Sequence, residues 1–89
     1  MRNITLDLAK MKTQAEAHKY LGKVLEFPDY YGENLDALYD CLGDIGTPTI
    51  VTVPKKLGEK EGLGGYGERM LKVFRLAAEQ NSFLQVVIK

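Results

Sequence analysis

The sequence predicts a small single-domain α/β protein in which a three-stranded parallel sheet packs with three to four helices. Its 89 residues suit one hydrophobic core and are too few for two. Three short segments have strand composition, and segments with helical periodicity separate them. Strands separated by helices usually pair in parallel through right-handed crossovers. We therefore expect residues 1–89 to form one domain.

The first half of the chain predicts one strand and two helices. Residues 3–8 alternate apolar and polar side chains, which is the period of a strand. Residues 14–25 carry apolar side chains at helical spacing, and Thr13 begins a capping box with the glutamate three residues later. Asn34 is a suitable N-cap for a second helix over about residues 35–44.

The second half predicts two strands and a third long helix. Residues 49–53 are rich in β-branched side chains and indicate a buried strand. We expect one short helical turn around Lys55–Glu59 and a helix over residues 68–80. Residues 83–88 are nearly all apolar, which is typical of a strand that is central or covered on both faces. The element order is β-α-α-β-α-β.

Composition argues against several classes of partner and compartment. The net charge is zero and the isoelectric point is about 6.6, so the chain lacks the basic surface that nucleic acid binding needs. No apolar run is long enough to span a membrane, and the strand-like start does not resemble a signal peptide. Cys41 is the only cysteine, so the sequence predicts a protein of the reducing cytoplasm.

Negative charge is concentrated in the middle of the chain. Residues 24–54 contain six acidic residues and no lysine or arginine. On the predicted second helix, the apolar Leu38, Leu42 and Ile45 fall on one side. The opposite side carries the acidic ridge, which we define as Glu33, Asp36, Asp40 and Asp44. Like charges four residues apart destabilise a helix by about 0.2–0.5 kcal/mol per pair, so the ridge suggests binding of a cationic partner.

Tyrosines accompany the acidic ridge. Tyr39 flanks it on the helix, and Tyr30 and Tyr31 stand just before the helix. Aromatic side chains beside charged groups are typical of protein-binding hot spots. Packing into the core is an equally good interpretation for Tyr31 and for Tyr20.

The segment FPDYYGENLDALYDCLGDI, residues 27–45, resembles the signature of the barstar family, intracellular inhibitors of secreted bacterial guanyl-specific ribonucleases. A weaker resemblance continues through Pro48–Val53 and residues 71–77. The resemblance implies a non-enzymatic protein without a cofactor, a monomer when free. It also implies one-to-one binding to a basic ribonuclease, whose active site Tyr30–Asp44 would block by placing carboxylates where RNA phosphates bind.

The resemblance also implies individual roles. Asp40 would be the central phosphate mimic, Asp36 would pair with an arginine of the enzyme, and Tyr30 would stack on its catalytic histidine. The other implied contact residues are Tyr31, Gly32, Asn34, Leu35, Tyr39 and Asp44. The sequence departs from the family at Leu76, where an acidic contact is expected, so an apolar contact would replace a charged one. The connection Gly43–Thr47 is also one residue shorter and lacks an aromatic contact.

Other interpretations of these residues stay open. The acidic ridge could belong to a metal-binding or hydrolytic domain, since acids four residues apart can share Mg²⁺ or Ca²⁺. However, no further ligand converges in sequence, and His18 is expected to be a surface or packing residue. Residues 62–67, GLGGYG, match a dinucleotide motif but do not directly follow a strand, so we expect a flexible glycine loop. Cys41 is expected to pack as a small residue rather than act as a nucleophile.

Overall fold

The computed structural model describes residues 1–89 and confirms the predicted fold class. The strands are β1 (Arg2–Thr5), β2 (Thr49–Val53) and β3 (Leu84–Ile88). The helices are α1 (Gln14–Val24), α2 (Leu35–Gly43) and α3 (Gly64–Gln80), with short 3₁₀ turns at Leu8–Lys10 and Lys55–Gly58. The second of these turns lies where the sequence predicts one.

The sheet is parallel, with β2 between β1 and β3. Consecutive strand order with right-handed crossovers places the helices on one face of the sheet. Burial along β2 identifies that face, since Val51 and Val53 are buried whereas Ile50 and Thr52 are half-buried. The buried apolar residues of the whole chain form one cluster between this face and the helices.

Two strand predictions need correction. The interpretation of the last strand as central or covered on both faces is wrong, because β3 is an edge strand and only Leu84 in it is buried. Val86 and Ile88 lie on the same face as Leu84 and pack partly against the core at the edge of the sheet, whereas Val87 lies on the opposite face. β1 is shorter than predicted because the chain turns away at Asp7, whose side chain accepts a hydrogen bond from the Ala9 amide at 3.0 Å.

The expectation of a flexible glycine loop is also wrong. Helix α3 begins at Gly64, inside the predicted loop, and Gly67 is buried in its first turn. A Cβ added at Gly67 would overlap the carbonyl oxygen of Leu57, and one added at Gly62 would press on the carbonyl oxygen of Lys56. These glycines therefore allow α3 to pack directly against the 3₁₀ turn before it.

Helix α2, which carries most of the acidic ridge, is capped at both ends by asparagines. Asn34 accepts a hydrogen bond at Oδ1 from the Ala37 amide at 2.8 Å, which confirms the predicted N-cap. At the other end, Nδ2 of the buried Asn81 donates to the carbonyl oxygens of Leu42 at 2.9 Å and Ile45 at 3.0 Å. The last turn of α2 holds no basic residue, so Asn81 adds side-chain donors to the backbone amides of Asp44 and Ile45 that already serve its carbonyl oxygens.

A buried histidine connects α1 to the segment before α2 and to α3. Nδ1 of His18 lies 2.5 Å from the Tyr31 hydroxyl, and Nε2 lies 2.7 Å from the Tyr66 hydroxyl. A neutral imidazole can accept a hydrogen bond at one nitrogen and donate at the other. Burial lowers the pKa of His18, and the negative charge of Glu33 partly opposes this shift. His18 is therefore a packing residue rather than a surface residue, and the sequence had left both interpretations open.

The variant Asn81→Asp tests the C-terminal cap of α2. It keeps the size of the side chain but turns a carboxylate towards buried carbonyl oxygens. We expect the free energy of unfolding to fall by roughly 2–3 kcal/mol, because the carbonyl oxygens of Leu42 and Ile45 each lose the hydrogen bond from Asn81 and face a carboxylate instead. Urea denaturation measures this change, and Asn3→Asp, at an exposed position of β1, is the matched control. Equal stability of the two variants would contradict the capping role.

The lowered pKa of His18 predicts a loss of stability in mild acid. The unfolded chain, with a histidine pKa near 6.5, takes up the proton before the folded chain does as pH falls. Stability should therefore fall as pH drops through about 6.5 towards the folded-state pKa, and His18→Gln should lose this part of the dependence. Urea denaturation across this range measures the slope. Because His18 is the only histidine, an NMR titration reads its pKa directly, and a value above 6.5 would contradict the account.

Candidate functional site

The acidic ridge faces outward. All four of its carboxylates are exposed, whereas Leu38, Leu42 and Ile45 on the opposite side are buried, as the helical periodicity predicts. The ion pair of the structure lies elsewhere, between Arg2 and Glu26 at 3.5 Å, and no lysine or arginine pairs with the ridge. The ridge therefore presents uncompensated negative charge to any partner that approaches this side of the protein.

The two tyrosines before α2 have different environments. Tyr30 is 83% exposed, whereas Tyr31 is half-buried and its ring centroid lies 4.9 Å from that of Phe27. With its hydroxyl at His18, Tyr31 fixes the segment to the core, and burial raises its pKa. Tyr20 is also partly buried against the core. The core-packing interpretation is thus correct for Tyr31 and Tyr20, while Tyr30 is left free to contact a partner.

Of the grooves that border the ridge, two contain Asp40. The loop groove, of about 410 Å³, is lined by Tyr30, Tyr31, Gly32, Ala37, Asp40, Cys41 and Asp44. The helix groove, of about 520 Å³, runs between α2 and α3 and is lined by Leu35, Asp36, Tyr39, Asp40, Val73 and Leu76. Asp40 lines both grooves, so its carboxylate lies at the centre of the surface.

The structure brings nine of the ten predicted contact residues together around these grooves. The exception is Asn34, whose side chain caps α2 and donates from Nδ2 to the Gly32 carbonyl oxygen at 3.2 Å. This amide is committed to the protein's own backbone, although the residue is exposed beside the loop groove. Its position supports a structural role more directly than a contact role.

Leu76 is exposed, with 41% of its surface accessible. It joins the predicted site because α3 packs beside α2. The sequence interpretation did not include Val73, which lines the same groove. Its position three residues before Leu76 was the available signal, because residues three apart share a helix face.

Metal binding and attack by the thiol of Cys41 are the other chemistries that the side chains of the site bring into question. No group of three or more His, Cys, Asp or Glu side chains lies close enough to hold a metal ion. Burial, together with the nearby charges of Asp44 and Asp40, raises the pKa of Cys41. A thiol with a raised pKa is a poor nucleophile near neutral pH. None of the helices combines the length and apolar character that crossing a membrane requires.

Comparison with known proteins agrees with the resemblance found in residues 27–45. The profile of the family described as Barstar (barnase inhibitor) matches residues 1–88. A protein of Bacillus subtilis (strain 168), named "Putative ribonuclease inhibitor YrdF", is 37% identical over 81 residues, which cover 90% of this chain and 89% of that protein. The similarity thus extends over every strand and helix, and the chain belongs to the barstar family, whose members are inhibitors of ribonucleases rather than enzymes.

Proposed function

We propose that this protein binds a secreted bacterial ribonuclease one-to-one and blocks its active site with the segment Tyr30–Asp44. In this proposal, the carboxylates of the acidic ridge occupy the positions of RNA phosphates. The observation that carries the proposal is the outward presentation of four carboxylates without a lysine or arginine partner. Family membership supports the class of partner.

The chemistry of the partner explains why carboxylates would bind it. A ribonuclease holds a polyanion and stabilises negative charge on the reacting phosphate, so its cleft must contain cationic side chains. Carboxylates accept short, charge-assisted hydrogen bonds from arginine, often two at a time. Asp40, at the junction of the two grooves, can meet cationic groups that enter from either side. Asp36 lies one helical turn earlier on the same exposed side.

The exposed tyrosine supplies contact area beside these charges. Tyr30 lines the loop groove, and its neighbour Tyr31 is anchored to His18. Such support restricts the backbone at Tyr30 before binding, so less conformational entropy is lost in the complex. Its ring can stack on a planar side chain of the cleft, and a histidine is a suitable partner for an aromatic ring.

Charge should also accelerate association. An acidic surface and a basic cleft attract each other before contact, and salt screens this attraction over about 8–10 Å. We expect the protein to act as a monomer in the reducing cytoplasm, where it would neutralise nuclease that has not been exported. The single cysteine cannot form a disulfide within the chain, which suits that compartment.

The variant Asp40→Asn tests the central role of this carboxylate. It removes the charge at nearly constant size, and Glu16→Gln removes a charge at an exposed position of α1 outside the grooves. Against a purified guanyl-specific ribonuclease, we expect Asp40→Asn to weaken binding by about 2 kcal/mol or more. This is the general loss when one partner of a buried charge pair is removed, and complexes of the barstar family are among the examples on which it is based. Glu16→Gln should bind almost as tightly as the wild type.

Inhibition titrations and stopped-flow association rates, each at low and high salt, provide the measurements. Added salt should slow association of the wild type much more than it changes dissociation. Equal inhibition by Asp40→Asn and the wild type would remove the role assigned to Asp40. A wild type that inhibits none of a panel of such nucleases would refute the proposed function itself.

A further inference from the structure

The helix groove has two chemically different walls. The wall formed by α2 carries the carboxylates of Asp36 and Asp40. The wall formed by α3 is apolar and consists of Val73 and Leu76. Leu76 is 41% exposed, so an apolar side chain faces solvent directly beside the charged ridge.

The charged residues of α3 do not make this second wall attractive to a cation. Those nearest to Leu76 along the exposed side are Lys72, Arg75 and Glu79, which together carry no net negative charge. None of them lines the helix groove. A cationic group pressed against Leu76 inside the groove would lose water, and the α3 residues that line the groove, Val73 and Leu76, offer no side-chain hydrogen-bond acceptor in return.

We propose that the α3 wall of the helix groove receives an apolar side chain of the ribonuclease, adjacent to the cationic side chain that meets Asp36 or Asp40. Charge complementarity assigns the two halves of the groove to these two kinds of side chain. Leu76 is then a residue that determines which ribonuclease is bound. This inference rests on the proposed function and specifies the partner's surface beyond its basic cleft.

Selectivity between ribonucleases then depends on an unfavourable interaction as well as on a favourable one. A nuclease with an apolar side chain at this point buries it against Leu76 and Val73, which removes apolar surface from water. A nuclease with a lysine or arginine there must desolvate that charge against an apolar wall. Discrimination between related partners commonly combines an attractive contact with such a penalty.

The variant Leu76→Glu distinguishes the two kinds of partner by the sign of its effect. It adds negative charge to an acidic surface, so it should tighten binding if a basic side chain lies opposite. If an apolar side chain lies opposite, the buried carboxylate should weaken binding by roughly tenfold or more. The truncation Leu76→Ala should weaken binding by roughly three- to tenfold, with little dependence on salt.

The control is Gln14→Glu, which adds the same charge at the exposed start of α1, outside both grooves. The probe is the nuclease that the wild type inhibits most strongly in a panel of purified guanyl-specific ribonucleases, and circular dichroism checks that each variant folds. Weaker binding by Leu76→Glu with unchanged binding by Gln14→Glu supports the proposal. Unchanged or tighter binding by Leu76→Glu overturns it. The proposed function still stands in that case if Asp40→Asn weakens binding as expected. Failure of the wild type to inhibit any nuclease overturns both.

Discussion

The capping of α2 by two asparagines is the constraint on which the acidic surface depends. The helix has only nine residues, and helices shorter than about 12–15 residues are marginal in isolation. Its carboxylates repel one another, and Asp44 lies at the negative end of the helix dipole. Asn34 accepts a hydrogen bond at the first end, Asn81 donates at the second, and Leu38 and Leu42 bury the apolar side. The fold thus stabilises a helix whose outer face is unfavourable by itself.

This arrangement separates the residues that build the surface from those that face outward. Asn81, His18 and Tyr31 are buried or half-buried and hold α2 and the segment before it in place. Tyr30 and the acidic ridge project from this support into solvent. A surface that is already ordered before association loses less entropy on binding, which favours affinity. The surface can therefore remain highly charged without disturbing the core.

The structural features that could be predicted from the sequence are those that depend on residues close together in the chain. The separation of an acidic face from an apolar face on α2 follows from helical spacing, the Asn34 cap follows from the residue type before the helix, and both are present in the structure. The partners of Asn81 lie up to 39 residues away in sequence, and Tyr66 lies 48 residues from His18, so no local pattern indicates them. The glycines of residues 62–67 predicted a flexible loop, because no pattern among neighbouring residues indicates that they pack against backbone carbonyl groups of another segment. The partial exposure of β3 results from its position at the edge of the sheet, and the composition of one strand does not indicate the order of the strands.

Competition with a nucleotide tests the central claim most directly, since two ligands that occupy the same phosphate positions exclude each other. The measurement is the apparent dissociation constant of this protein for a guanyl-specific ribonuclease at increasing concentrations of guanosine 3′-monophosphate. The account predicts that the apparent constant rises linearly with nucleotide concentration, without reaching a plateau, and that no complex contains all three molecules. An apparent constant that stays unchanged at saturating nucleotide, with a stable ternary complex, would contradict the claim that carboxylates replace RNA phosphates.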